Sequence, residues 1–327
     1  MQKQAKESHR VTAVILTMGD RPDMLRTVLD HLAGEPVDEV VVVDNGADGQ
    51  AADQVAGSAN VRVLRPGGNT GIGGRNVGAR VASGDLLLML DDDSYPLPGA
   101  VARLAGAFDA APRLGAAGGL VRDVDADSRV TQSEEPGTFD WLVRAGRDGE
   151  VPERGLVADF FAEGGVMLRR EAYLAVGGFF EPYFFTCSEM DLSTRLLAAG
   201  WDVRYFPDAE FDHMKPEGHR AGSRLALQYR IRNNAWYFWL RFPPAVAARR
   251  IPAYLAFDLV ESVYRGMPGA WVKGVREAWT RRDTVRRYRD PVPKALIPRV
   301  EIERGRLHLQ ILARALRRKL TGRSATG

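Results

Sequence analysis

Cysteine is nearly absent: Cys187 is the single one among 327 residues. That excludes an intrachain disulfide and any cysteine-rich zinc site, so a metal, if held, must use oxygen and imidazole. Cys187 itself reads as a small buried apolar residue. Long hydrophobic runs are also missing. No stretch approaches the roughly 20 uninterrupted apolar residues that cross a bilayer, and the opening MQKQAKESHR lacks the apolar core of a secretory leader. The expectation is a cytoplasmic protein of a reducing compartment. Internal repeats are not visible, and disorder is excluded, because 45% of the residues are apolar and can bury a substantial core.

What is present is unevenly charged. The formal net charge is +3, yet residues 216–327 carry 24 Lys/Arg against 8 Asp/Glu, while the rest carries 21 against 34. An acidic body is joined to a basic tail. Such a tail is either a solvated Arg-rich surface or one drawn to phosphates, at a membrane, on a lipid-linked substrate or on nucleic acid.

Along the body, short β-branched runs alternate with helical patterns. Val11–Thr17 (VTAVILT) precedes a helix with Met24, Leu25, Val28, Leu29 and Leu32 on one face. Glu39–Val43 reads as a buried strand ending in Asp44-Asn45-Gly46, and Asn60–Leu64 as a third strand. A Gly-rich loop, 67–74, then opens a helix, and Leu86–Leu90 (LLLML) runs directly into Asp91, Asp92 and Asp93. Phe160–Arg169 and Val203–Phe206 read as further strands and Asp191–Ala199 as a helix; 123–156 is polar and irregular, a loop or edge-strand insertion. The pattern predicts an α/β fold with a mostly parallel sheet, whose ligands bind beyond the carboxyl ends of the strands. From residue 218 the chain becomes Arg-rich helices with interleaved aromatics, so the predicted division is 11–217 and 218–327.

The three acids after LLLML are the strongest chemical signal. Carboxylates two apart at a strand end can hold a hard cation across a diphosphate, although three adjacent acids also occur as a solvated turn. Asp44 is either a turn residue before Asn45-Gly46 or, on a parallel strand, a carboxylate able to accept the imide N–H of uracil or thymine.

Taken together these segments resemble the family 2 glycosyltransferases of GT-A fold, in particular rhamnosyltransferase-like bacterial members. The pieces run in order from Val11 to His213: VVVDNG at Val41–Gly46, GNTGIGGRNVGA at Gly68–Ala79, SGDLLLMLDDD at Ser83–Asp93, FFAEGG at 160–165, SEMDLSTRLLAAGW at Ser188–Trp201, and His213 after one more strand. The resemblance implies an inverting, metal-dependent sugar transfer from a UDP- or dTDP-sugar to an acceptor hydroxyl. It implies that Thr17, Arg21, Asp44, Asn45, Asn69, Gly71, Arg75, Asn76, Asp91 and Asp92 bind the donor. Asp91, Asp93 and His213 would hold Mn2+ or Mg2+, and Glu163, Gly164 and Gly165 would lie towards the acceptor.

One position departs from the family. Where relatives carry Glu-Asp-any-Asp-Leu, this chain has Ser188-Glu189-Met190-Asp191-Leu192, which puts Glu189 at the base position with Asp191 as its rival. The same residues also fit a helix start, with Ser188 as N-cap and Asp191 three positions on.

Other readings stay open at the level of sequence. A sugar-1-phosphate nucleotidyltransferase shares the architecture but wants a Gly-rich basic loop after the first strand, and Met18-Gly19-Asp20-Arg21-Pro22 is a poor version of it. A non-catalytic nucleotide-sugar-binding protein is the other alternative. Phe179 to Phe185 line an acceptor pocket or belong to the core, and Lys215 and His219 are candidates for a lid. The acceptor is either lipid-linked or a small glycoside, and no nucleic acid partner is expected. The interleaved Arg and aromatic residues from Tyr229 to Arg250 fit packing against the body, a homodimer interface, or an interfacial helix at the inner face of the membrane.

Overall fold

The computed structural model describes residues 9–46, 55, 60–125, 127–133, 151–214 and 223–300. Strand β1 (Val11–Thr17) lies at the centre of a sheet half formed with β2 (Glu39–Asp44), β3 (Val61–Leu64) and β4 (Leu86–Asp91), all parallel, in the order β3-β2-β1-β4. Successive residues of these strands point into two different cores. Val14, Val41 and Met89 face one, and Ile15, Val42 and Leu88 face the other. This is why the strands read as continuous apolar runs.

Helix α1 (Pro22–Leu32) starts on a proline and buries Leu25, Val28 and Leu32. Helix α2 (Gly73–Val81) lies close against β1, since a Cβ at Gly74 would stand 2.5 Å from Leu16 Cδ1. Then follow β5 (Ser94–Pro96), α3 (Ala100–Ala110), β6 (Leu114–Val124), β7 (Val130–Ser133), β8 (Leu156–Ala158), β9 (Val166–Arg169), α4 (Arg170–Ala175), α5 (Ser188–Ala198) and β10 (Asp202–Met214). Beyond β4 the sheet continues β9-β6-β10-β5, with β7 and β8 at its margins. Strand β9 is antiparallel to both neighbours, while β6 and β10 are parallel. The sheet is therefore mixed α/β and mostly parallel, as the pattern predicted.

Some boundaries differ from the sequence reading. Only Val166–Arg169 of the expected Phe160–Arg169 strand pairs in the sheet. The two segments around Pro207 form a single strand, β10, whose register with β6 shifts between Phe206 and Glu210. Helix α3 and strand β6 went unanticipated. Ser188 is the first helical residue rather than the cap; that place belongs to Cys187, in left-handed conformation with no side-chain cap bond.

The aromatic tail packs onto the body. Helix α6 (Arg224–Arg241) is capped by the Ser223 side chain. It buries Trp236, Tyr237, Phe238 and Leu240 in the same core as Leu192 and Leu196 of α5. Of the three readings of Tyr229–Arg250, the burial along α6 supports packing against the body. Helices α7 (Pro244–Tyr264), α8 (Pro268–Thr280) and α9 (Arg282–Arg286) follow, with a smaller core of Leu227, Ile231 and Ala270 between α6 and α8. The expected boundary at 217/218, and the lid candidates Lys215 and His219, lie outside the described residues.

Candidate active site

Register brings the polar strand ends together: Thr17 stands opposite Asp44, and Leu16 opposite Asp91. Asp44 is buried. One of its oxygens, Oδ1, accepts the Gly46 backbone N–H at 2.8 Å, whereas Oδ2 has no hydrogen-bond partner among the described residues and lies 3.8 Å from Arg65 Nε. Asn45 ties this end to the Gly-rich loop, accepting from the Thr70 hydroxyl at 2.8 Å and donating to Gly71 O at 2.9 Å. Asn69 shapes the same loop by accepting the Gly71 N–H at 2.8 Å. At Gly71 φ is +56°, and a Cβ there would stand 2.2 Å from Phe184 O, so two reasons require glycine.

The three acids have different surroundings. Asp91, the most exposed of them, accepts from Arg75 Nη2 at 2.6 Å. Asp92 is buried, accepts the Thr17 hydroxyl at 2.6 Å and pairs with Arg21. Burial pushes its carboxyl up to about 7, with Asp93 and Asp91 adding to the shift and Arg21 and Thr17 opposing it. Asp93 pairs with Arg21 and faces His213, whose Nε2 is 3.4 Å from Asp93 Oδ1. Burial works to raise the Asp93 carboxyl, but His213 and Arg21 outweigh it and hold it below the ordinary range. The other ring nitrogen of His213 is 3.3 Å from Asp123 Oδ1. Against the effect of burial, these acids lift the imidazole up to about 10.

Asp93 and His213 thus come together as expected, but Asp91 does not join them: among the described residues no three His, Cys, Asp or Glu side chains gather in metal-binding geometry. Two facing donors suit a small hard cation, which takes one or two protein ligands and completes its shell with water and substrate phosphate.

Arg21 and Arg75, both expected to bind the donor, are engaged by acids of the site. The Arg21 guanidinium lies on Asp92 and Asp93. Arg75 is buried, donates to Leu90 O at 3.2 Å as well as to Asp91, and lies 3.6 Å from Glu163. Asn76 spends its amide within the fold, donating to Phe179 O at 2.8 Å and accepting from the Phe179 N–H and the Tyr173 hydroxyl.

Glu189 and Asp191 separate clearly. Asp191 is fully buried, its oxygens bound by Arg195 and Arg241 at 2.7 Å each. Burial would raise its carboxyl, but the two guanidinium groups hold it below the usual range. Such a group is not offered to an acceptor. Glu189 is 7% exposed, and its Oε1 has no hydrogen-bond partner among the described residues. Burial, with Asp91 adding, raises its carboxyl above the ordinary value, while Arg75 opposes. Glu163 stands close by, and Gly164, at φ +86°, sits where a Cβ would be 3.1 Å from Ser94 Oγ. A Cβ at Gly165 would meet Phe211 at 2.9 Å.

The sequence reading missed what positions Glu189. Phe184, Thr186 and Cys187 all have positive φ, an uncommon run for residues with side chains. Asn233 of α6 holds that turn, donating to the carbonyls of Tyr183, Phe185 and Thr186 at 3.1, 2.6 and 3.1 Å. Arg232 adds a bond to Tyr183 O at 2.7 Å. An Arg-Asn-Asn run inside an apolar helix was the available signal. Of the aromatics, Phe179, Phe180 and Tyr183 belong to the core, whereas Phe184 stacks on Tyr229 and Phe185 is exposed.

Comparison with known proteins bears on the family and the fold. The Glycosyl transferase family 2 model matches residues 13–177. The chain is 28% identical over 259 residues to N-acetylglucosaminyl-diphospho-decaprenol L-rhamnosyltransferase of Mycobacterium tuberculosis, covering 70% of this chain and 83% of that protein. In fold it resembles GalNAc-T7 in complex with UDP, GalNAc and Mn2+, at TM-score 0.60 and 13% identity, covering 86% of this chain and 58% of the other. The mannosyltransferase of Pyrobaculum calidifontis with GDP-Man and Mn2+ superposes at TM-score 0.56 and 18% identity, covering 84% and 88%. The chain is a member of glycosyltransferase family 2, a GT-A enzyme that transfers sugar from a nucleotide-sugar donor.

Proposed function

We propose that the protein inverts the anomeric carbon of a pyrimidine-linked sugar as it transfers that sugar to a hydroxyl of a lipid-linked acceptor. The buried Asp44 Oδ2, which accepts no hydrogen bond among the described residues, carries the donor half of this reading. An acceptor position left open in a buried carboxylate calls for a donor, and the imide N–H of uracil or thymine fits it where cytosine offers none. The mycobacterial relative, an L-rhamnosyltransferase acting on N-acetylglucosaminyl-diphospho-decaprenol, favours a deoxyhexose as the sugar and a lipid-linked acceptor.

Glu189 takes the proton of the acceptor hydroxyl as its oxygen attacks the anomeric carbon opposite the nucleotide. Burial, which raises its carboxyl above the ordinary value, makes it a stronger base than an exposed carboxylate. Asp93 and His213 would hold a divalent cation, which supplies neutralisation of charge on the departing diphosphate. Arg75 fixes Asp91, and Arg21 is placed to exchange its carboxylate partners for donor phosphate. Gly164, where a Cβ would stand 3.1 Å from Ser94 Oγ and 4.0 Å from Asp91 Oδ2, keeps the backbone beside Asp91 free of a side chain on the side proposed for the sugar. One displacement inverts the centre and needs no nucleophilic side chain.

Calorimetry with UDP, dTDP and GDP, with and without Mn2+, tests the donor assignment. Metal-dependent binding of a pyrimidine nucleotide is expected; equal or stronger GDP binding would overturn it. Hydrolysis of a panel of nucleotide sugars then names the donor without knowledge of the acceptor.

A further inference from the structure

Helix α7 is 21 residues long but buries only Ala247, Tyr254, Asp258 and Ser262. Its outward face is exposed and apolar: Ala256, Leu259 (38%), Val260 (56%), Val263 (60%) and Tyr264 (57%) lie on it. With the exposed residues upstream, back to Ala245, they fall within an arc of roughly 160° at 3.6 residues per turn. Arg249 is the one charged residue on that face.

Around it, charge is sorted by sign. The acids of α7 and α8 turn inward. Asp258 and Glu261 pair with Arg230 of α6, and Glu277 bonds Gln228 and Arg232. Most cations turn outward: Lys273, Arg276, Arg281, Arg282 and Arg286 are exposed, with Asp283 the one exposed acid of α8 and α9, while Arg265 pairs with Glu261 at 2.6 Å. Trp279, 69% exposed, lies under the Arg282 guanidinium, 4.5 Å from its ring centroid.

An exposed apolar helix face, followed in the chain by helices that expose several cations and a Trp, has the chemistry of a surface that lies in a lipid interface. No helix among the described residues is long and apolar enough to cross a membrane. We propose that the outer face of α7 docks flat on an anionic lipid bilayer, with Leu259, Val260 and Val263 entering the headgroup–acyl boundary and the α8–α9 cations meeting lipid phosphates. The observations that carry this are independent of the donor and of the base. Beside a lipid-linked acceptor, such docking replaces a search in solution by one in the plane of the membrane.

The test is co-sedimentation of the full chain with vesicles of phosphatidylglycerol and phosphatidylcholine, and with phosphatidylcholine alone. Binding to the anionic vesicles only is expected, weakening with salt. The double variant V260E/V263E, at exposed positions, should lower the partition coefficient by about tenfold or more, with unchanged circular dichroism and nucleotide binding. Undiminished vesicle binding by that variant would overturn the proposal and move the contact to another part of the chain. Failure of the wild-type chain to bind anionic vesicles, or a stable dimer that the same variant dissociates, would also overturn it. Loss of nucleotide binding in the wild-type chain would count against the donor assignment alone.

Discussion

Glu189 and Asp191 are two residues apart on one helix, and their neighbours give them opposite chemistry. Substituting glutamine for Glu189 keeps shape and removes the proton acceptor, so turnover should fall about 100-fold or more while nucleotide affinity, read by calorimetry, stays within error. Asp191→Asn should act on stability instead. Removing one partner from a buried ion pair costs about 3–5 kcal/mol, visible as an earlier midpoint in urea denaturation. The pH dependence has a defined sign. Because Arg195 and Arg241 hold the folded-state carboxyl of Asp191 below its unfolded value of about 3.9, its stabilisation is complete above that value and is lost as pH falls through the folded pKa. The stability gap between wild type and Asp191→Asn should therefore narrow as the buffer is taken from pH 7 towards pH 3.

The loop before α2 and the turn before α5 support each other across the cleft, with the Ile72 N–H donating to Phe184 O at 2.8 Å. Gly71→Ala places a Cβ 2.2 Å from that carbonyl in a left-handed conformation. It should cost about 1–3 kcal/mol and weaken nucleotide binding, measurable by calorimetry. Asn233→Ala removes three bonds from the turn carrying Glu189. Its expected signature is a fall in kcat with KM for the donor little changed, and Asn233→Gln should not rescue it, because the longer arm misplaces the amide. These elements were legible to different degrees. The parallel strands and their acidic ends stood out because burial on both faces leaves a continuous apolar run. Helix α3 and strand β6, rich in alanine and glycine, give little periodic contrast, so the pattern passes over them. The expected capping box at Ser188 failed because the helix begins on a left-handed Cys187 held by α6 rather than by its own side chains.

The basic tail completes the body rather than hanging from it. Trp236, Tyr237, Phe238, Leu240 and Phe242 share a core with the sheet-facing side of α5, and Arg241 closes the Asp191 pair. A chain ending at residue 222 should expose that core and leave Asp191 short of a partner. Aggregation, or loss of a cooperative thermal transition, is expected, and a soluble fragment melting like the whole chain would contradict this view of the molecule. Sequence alone determined the family, the α/β class and the gathering of Thr17, Asp44 and Asp91 to Asp93 at one edge, since strand periodicity and the residues that end strands are local properties of the chain. Only the tertiary structure decided which acid is spent and which is available. That depends on Arg241, 50 residues beyond Asp191, and on how closely α6 lies against α5, because the charge state of a buried carboxylate is fixed by whatever the fold brings beside it.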